Sequence, residues 1–287
     1  MVGGGVLRGA GGMFKTLLLA SLTVWAAVLV LPDDRLHVVV CDVGQGDAIL
    51  VSSGANQMLV DGGPDDKVLT CLARHMPFFD KRIEVVILTH PQADHMSGLI
   101  NVVRRYSIVR FVKGEQSNNT QGYEELMQEI RNKKLEIRSL YTGDEIQIQN
   151  LKFKIIWPER GFESKELNDT AIVGRLSFGG FDALLTGDAD SRVELAEMAT
   201  GLIVPVEVLK VPHHGSKTGM LASWLKQVKP KLAVISVGKT NGYGHPSSEA
   251  IKLLQEVGSK MMRTDRDGEV EVVSDGKRWW VSSRSTN

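Results

Sequence analysis

The segment Thr89-His90-Pro91-Gln92-Ala93-Asp94-His95-Met96-Ser97-Gly98 decides how this chain reads. It follows Ile83–Thr89, an apolar run rich in β-branched residues and the pattern of a buried strand. His90, Asp94 and His95 are therefore expected to leave a rigid strand edge into one loop. Imidazole nitrogens and a carboxylate within six residues form a donor set suited to a divalent cation. Any one of these residues alone reads as a surface group or a satisfied core histidine. Their company gives them weight.

Working outward, the same build recurs. Phe181–Thr186 reads as a strand ending in Thr186-Gly187-Asp188, where glycine permits a sharp turn and Asp188 presents a carboxylate. The competing reading is a helix N-cap before Ser191, a role that Asp190 could also take. Leu209-Lys210-Val211-Pro212-His213-His214-Gly215-Ser216 is again an apolar strand that ends in imidazoles and glycine. Tyr243-Gly244-His245-Pro246 precedes a helix capped by Ser247 or Ser248. Five of the seven histidines lie at such junctions, where sites are usually built.

Between these points short β runs alternate with helical stretches. Strands are expected at 36–42, 48–52, 57–60, 83–89, 108–112, 145–148, 151–157, 171–178, 181–186, 206–211, 232–237, 260–264, 269–273 and 279–282. Helices are expected at 68–76, 97–106, 122–133, 191–199, 220–228 and 247–257. Strands gathered in two halves, each followed by helices, predict an α+β domain of two mixed sheets packed together with helices outside.

In this order the elements resemble the metallo-β-lactamase superfamily, and within it the hydrolase domain of ComEC-type DNA-uptake proteins. The resemblance runs from Leu36 to about Val273. It is carried by Asp42-Val43-Gly44-Gln45-Gly46-Asp47-Ala48, Leu59-Val60-Asp61-Gly62-Gly63, Thr186-Gly187-Asp188, Pro212-His213-His214-Gly215-Ser216 and Gly244-His245-Pro246. It implies an αββα sandwich with a metal site at one end of the two sheets. Against the signature H-x-H-x-D-H, His90, Asp94 and His95 match the first, third and fourth positions, and Gln92 replaces the second histidine. The histidine before the bridging aspartate has no counterpart; Asn168 and Asp169 stand in that region. Asp188 matches the bridging carboxylate. Of the pair His213–His214, His214 is favoured as ligand, leaving His213 for substrate or leaving group.

The implied metal ligands are thus His90, Asp94, His95, Asp188 and His214, with Gln92 and Asn168 as weak additions. A second position built on His90, Asp188 and neutral amides is oxygen-weighted, which favours Mn²⁺ or a loosely held second Zn²⁺; one or two ions are expected. Asp94 could also orient a metal-activated water, and His213 or His245 could stabilise a phosphoryl oxygen or protonate the leaving oxygen. The implied substrate is a phosphodiester, plausibly DNA. The alternatives are a hydrolase of another extracellular ester (a phosphocholine ester or lactone) and a non-catalytic binding relative. ComEC proteins join this domain to a multi-helix channel; with one hydrophobic run, this sequence is not expected to form a channel itself.

With 34 Lys+Arg against 34 Asp+Glu, the overall charge gives no argument for nucleic acid. A nuclease would need a local basic groove, for which Lys210, Lys217, Lys239 and Arg266, with Tyr243 for stacking, are candidates beside their plainer reading as solvated side chains. The polar loop from Lys113 to Asn119 could line such a groove. Thr16–Leu31 is an uninterrupted uncharged run, with Arg8 and Lys15 before it and Asp33 and Asp34 after. That arrangement predicts a membrane anchor or a signal segment in residues 1–35, with the domain of residues 36–287 on the extracytoplasmic side. Two cysteines are no disulfide framework. Cys41 reads as a buried strand residue, a Cys41–Cys71 bond remaining open outside the cytoplasm. Oligomeric state is not legible.

Overall fold

The apolar alternation in Leu-His-Val-Val-Val sets the layering from the first strand. In β1 (Leu36–Val40), Leu36, Val38 and Val40 face one core while Val39 faces another. Successive strand side chains point to opposite faces, so a strand apolar on both must lie between two layers. The computed structural model describes residues 32–285, together with Lys15 and Leu18. The chain divides into two compact units, Met1–Asp33 and Asp34–Asn287. But for Leu18, the hydrophobic run Thr16–Leu31 and the helix expected there lie outside the described residues. Among the described residues no helix is long and apolar enough to cross a membrane.

The first half continues with β2 (Ile49–Ser53), β3 (Asn56–Val60), α1 (Lys67–His75), β4 (Arg82–Leu88), α2 (Ala93–Arg105), β5 (Ser107–Lys113), α3 (Gln121–Asn132) and β6 (Ile137–Arg138). The second half contributes β7 (Glu145–Ile148), β8 (Leu151–Trp157), β9 (Val173–Phe178), β10 (Phe181–Leu185), α4 (Ser191–Ala199), β11 (Val208–Lys210), α5 (Ala222–Val228), β12 (Leu232–Ile235), α6 (Ser248–Glu256) and β13 (Lys260–Arg263). Then α7 (Thr264–Asp267), β14 (Glu269–Ser274) and β15 (Trp279–Arg284) return to the first sheet. One sheet has the order β15-β14-β1-β2-β3-β4-β5-β6, the other β13-β12-β11-β10-β9-β8-β7. In each, antiparallel pairs give way to a parallel run, β3 to β6 and β10 to β13.

Three cores separate the layers. Val38, Val60, Ile87, Phe153, Leu176 and Val234 fill the space between the sheets. Leu50, Val86, Leu99 and Leu126 join the first sheet to α1, α2 and α3, and Leu184, Leu209, Trp224 and Leu254 join the second sheet to its helices. The chain is therefore an α+β sandwich of two mixed sheets flanked by helices.

Three features depart from the sequence reading. Helix α2 begins at Ala93 rather than Ser97, so Asp94 and His95 lie in a first helical turn and not in a loop. The edge strand β6, two residues long, carries no periodic signal at all. Cys41, buried as expected, is bonded to Cys71 in a disulfide, the pairing that a count of two cysteines does not favour. The bond joins the end of β1 to α1 across 30 residues, a closure of about 3.5 kcal/mol in the chain-entropy picture.

Helix α4 turns carboxylates inward. Glu194 and Glu197 are fully buried while Leu195 is exposed. Glu194 Oε2 accepts the Leu221 N–H at 2.5 Å and Glu197 Oε2 accepts the Trp224 indole N–H at 2.7 Å, so both serve to dock α5. Burial pushes Glu194 up to about 9 and Glu197 up to about 7, the bond from Trp224 opposing the latter. Both carboxyls are favoured protonated in the fold, so their contribution is complete below about 4.5 and is lost as pH rises through about 7 and 9. Relative to the parent, Glu197→Gln is expected to gain about 3 kcal/mol between pH 5 and pH 9 in denaturant unfolding. Parallel curves for the two proteins across that range would refute the assignment.

Candidate metal centre

Most side chains of the centre stand just beyond the C-terminal end of a strand. Asp61 follows β3, and Thr89 and His90 follow β4. Asp188 follows β10, and His213 and His214 follow β11. Parallel strands open their carboxyl ends to a shared crevice, which brings residues distant in sequence to one place. Asp94 and His95 join them from the first turn of α2. Two glycines permit the approach. A Cβ on Gly46 would lie 2.0 Å from the Asp94 carbonyl oxygen, and Gly187 has φ +51° with Thr89 Oγ1 2.9 Å from where a Cβ would be. Asp61, His213 and His214 also take left-handed backbone, φ 59°, 47° and 54°. Such conformations cost roughly 1–3 kcal/mol each and gather where a site demands them.

Asp94, His95, Asp188 and His214 each offer a ligand atom, all within 4.8 Å of one another. His95 Nε2 lies 3.2 Å from Asp188 Oδ1, and His214 Nε2 lies 3.2 Å from Asp188 Oδ2 and 3.6 Å from Asp94 Oδ2. Three imidazoles have Nδ1 engaged. His95 Nδ1 donates to Asp61 Oδ2 at 2.8 Å, and His214 Nδ1 to the Ser236 carbonyl at 2.9 Å. His90 Nδ1 donates to Thr89 Oγ1 at 3.0 Å, whose hydroxyl donates to Asp61 at 2.7 Å. In each, the buried Nε2 has no hydrogen-bond partner. A buried polar atom without a partner costs about 1–3 kcal/mol, and an outer bond on Nδ1 is the usual way to aim Nε2 at a metal. The donor set therefore fits a divalent ion held by Asp94, His95, Asp188 and His214. His90, its ring centroid 4.2 Å from that of His95, stands beside them.

The electrostatics agree. Burial alone would depress both imidazoles, but Asp188 with Asp61 raises His95 well above its usual value, and Asp188 with Asp94 raises His214 to about 9. Burial would raise the carboxyls; His214 and His95 instead bring Asp94 down to about 2 and hold Asp188 well below the usual range. His90 goes the other way, to about 3, through burial and the neighbouring His95, with Asp188 and Asp94, and least of all Gln92, opposing the fall. Acidic oxygens are thus ready to bind a cation, and His90 stays a neutral donor.

The remaining candidates divide. His213 is partly exposed, with Nε2 3.9 Å from Asp188 Oδ2 and the Asn168 amide 3.3 Å away. His245 packs against it at 5.8 Å between ring centroids, and the exposed Tyr243 stacks on His245 at 5.7 Å. Asp169 turns aside to Arg192 at 3.1 Å. Lys210 is no groove cation: it is buried, paired with Asp47, and donates to the Gly187 carbonyl at 2.9 Å beneath Asp188. Burial would depress it, but Asp47 and Asp188 raise it above its usual value. Lys217 pairs with Glu249 on the surface at 3.5 Å. Lys113 folds back on the carbonyls of Gly114 and Gln116. Only Lys239 and Tyr243 of the proposed groove residues line the cavity of about 720 Å³ that adjoins Asp94. Sequence reasoning assigned no role to Asp47 or Asp61, although both stand in motifs it singled out; the signal was an acid beside glycine at a strand end.

Comparison with known proteins follows the same lines. A family model described as the metallo-β-lactamase superfamily matches residues 41–239. ComE operon protein 3 of Bacillus subtilis is 29% identical over 254 residues, covering 80% of this chain and 32% of that protein. Competence protein ComA of Neisseria gonorrhoeae is 27% identical over 264 residues, covering 90% of this chain and 35% of that protein. The chain spans about a third of the length of these curated relatives. Among solved structures, the metallo-β-lactamase fold protein YhfI from Bacillus subtilis superposes with a TM-score of 0.57 at 12% identity, covering 87% of this chain and all of that one. Zn(2+)-bound PqqB from Methylobacterium extorquens gives 0.51 at 11% identity, covering 79% and 97%. At that identity the likeness is one of fold. With the family model spanning 41–239 and the histidine–aspartate cluster assembled inside that span, the chain belongs to the metallo-β-lactamase superfamily.

Proposed function

We propose that this chain is an extracytoplasmic metal-dependent phosphodiesterase that cuts DNA, held at a membrane through Thr16–Leu31. The observation that carries the reading is the convergence of four ligand atoms within 4.8 Å, with buried Nε2 atoms on His95 and His214 that make no hydrogen bond and face the carboxylate of Asp188. DNA as the substrate follows from the resemblance to ComEC-type DNA-uptake proteins, with which the names ComE operon protein 3 and Competence protein ComA agree. Asp94, His95, Asp188 and His214 would hold a divalent ion, which would supply Lewis-acid polarisation and a more acidic water near neutral pH.

The chain's own groups do the rest. Asp61 and Ser236 fix the tautomers of His95 and His214, and Lys210 holds Asp47 and the turn at Gly187 beneath Asp188. Asp94, the one partly exposed carboxylate of the cluster, faces the cavity and can orient the attacking water. His213 lies at the rim, where burial lowers its pKa, with His214 and Lys210 adding to the fall. Neutral at pH 7, it can donate a ring N–H to a phosphoryl oxygen or relay a proton to the leaving oxygen.

Four outcomes test the reading. Binding of Mn²⁺ or Zn²⁺ at pH 7 should release about two protons per ion, from His95 and His214, and affinity should climb as pH rises towards about 9. Calorimetry in buffers of different ionisation enthalpy measures this, and proton release near zero would contradict the ligand set. Asp188→Asn should lose bound metal and activity together. His213→Ala should keep its metal, measured by elemental analysis, and lose about 100-fold in rate. Finally, the full chain should degrade DNA with Mn²⁺ better than with Zn²⁺, and the rate should fall steeply with salt. Hydrolysis of a small ester with no cleavage of single- or double-stranded DNA would replace DNA with another extracellular ester as the substrate.

A further inference from the structure

The end of the sandwich opposite the metal centre carries its own pattern. β1, β3, β4 and β5 all begin there and run towards the centre. The loop Pro77-Phe78-Phe79-Asp80 precedes β4 at that end and is pinned by Gln57 Nε2, which donates to Asp80 at 3.2 Å. Phe78 is 78% exposed and Phe79 58%, the rings packed edge to face at 5.3 Å. Trp280, 40% exposed, is the second residue of β15 at the same end, with Arg35 over its ring at 5.4 Å. β15 lies four strand spacings from β3 and five from β4, so these aromatics rim a face roughly 20 Å wide.

Basic side chains share this rim. The Lys81 carbonyl accepts the Ser107 N–H at 2.7 Å, which sets the C-terminal end of α2 beside the loop. Arg105 lies in that last turn, and Lys133, after α3, reaches the Arg104 carbonyl at 3.2 Å, with Lys134 following. Lys81, Arg82, Arg105, Lys133 and Lys134 are all exposed. Asp34, Asp80 and Glu84 oppose them, and Glu125 and Glu129 are taken by Arg104 at 2.7 and 2.8 Å, which leaves these five cations against three carboxylates. The chain also enters the domain at this end: the Asp34 carbonyl accepts from Ser53 in the β2–β3 hairpin, three residues after the apolar run Thr16–Leu31.

We propose that this end of the domain docks on an anionic lipid bilayer, with Phe78, Phe79 and Trp280 in the interfacial layer and the metal centre facing away. Exposed aromatics ringed by Lys and Arg are the chemistry of a membrane interface: rings enter the headgroup boundary and cations meet lipid phosphates. Burying an exposed Phe on a neutral protein surface would leave the basic rim unmatched. Docking also points the cavity beside Asp94 towards bulk solvent, where a long polyanionic substrate is free of repulsion by the lipid surface. The proposal rests on the reading of Thr16–Leu31 as membrane-embedded.

The described cysteines are bonded to each other and buried, so single cysteines can be introduced and labelled in the full chain. Phe78→Cys and, at the opposite end, the exposed Thr240→Cys would each carry an environment-sensitive dye in vesicles of phosphatidylglycerol or phosphatidylcholine. The dye at position 78 should shift to the blue and lose most of its emission to doxyl-labelled lipid, more so with phosphatidylglycerol; the dye at 240 should do neither. A chain that floats with the vesicles while the dye at 78 stays unquenched overturns the docking and leaves the anchor standing. A blue shift at 78 without lipid quenching also overturns it, in favour of a protein partner. A chain that does not float overturns anchor and docking together.

Discussion

Asp188 has one oxygen 3.2 Å from His95 Nε2 and the other 3.2 Å from His214 Nε2, and this buried carboxylate between two imidazoles governs its surroundings. A charge taken from water has to be compensated where it lies, because desolvation costs several kcal/mol for each ion. Asp47, Asp61, Asp94 and Asp188 crowd one end of the sandwich, three of them wholly buried. Lys210, His95 and His214 balance them without metal, and a divalent ion can take the place of two imidazole protons with little change in net charge. The fold therefore carries a region whose carboxylates hold together only through cations.

That requirement explains local features that stability alone would not select. Left-handed backbone at Asp61, His213 and His214 and the close approach of Gly46 to the Asp94 carbonyl bring strand ends inward. The cost is borne by three apolar cores, whose strands alternate or run apolar according to whether one or both faces are covered. Asp190 caps α4 by accepting the Arg192 N–H at 3.0 Å, which frees Asp188 from that role. Two acids two residues apart thus have different work, one holding a helix end and one standing in the centre.

The same constraint separates the two ends of the domain. Strands that begin together and end together put catalytic candidates at their carboxyl ends, while their starts are free to carry unrelated chemistry. The aromatic and basic rim around Phe78 is far from the acidic cluster because the sheet lies between them.

Much was legible without coordinates. Period-two and period-3.6 apolar patterns located nearly all strands and helices, since burial acts on each element through its own residues. His90, Asp94, His95, Asp188 and His214 were legible as candidates, because a polar cluster after an apolar strand has few other reasons to exist. Other features depended on contacts between distant segments. Lys210 reads as an ordinary surface cation until β10 and β11 close over it and Asp47 arrives from the far side. Cys41 and Cys71 pair only because α1 lies against the end of β1. Glu194 and Glu197 break the helical pattern they sit in, their burial decided by Leu221 and Trp224. In the sequence, local periodicity determined the elements and offered the ligands. Tertiary structure alone decided which buried charge compensates which, because compensation depends on distance in space and not along the chain.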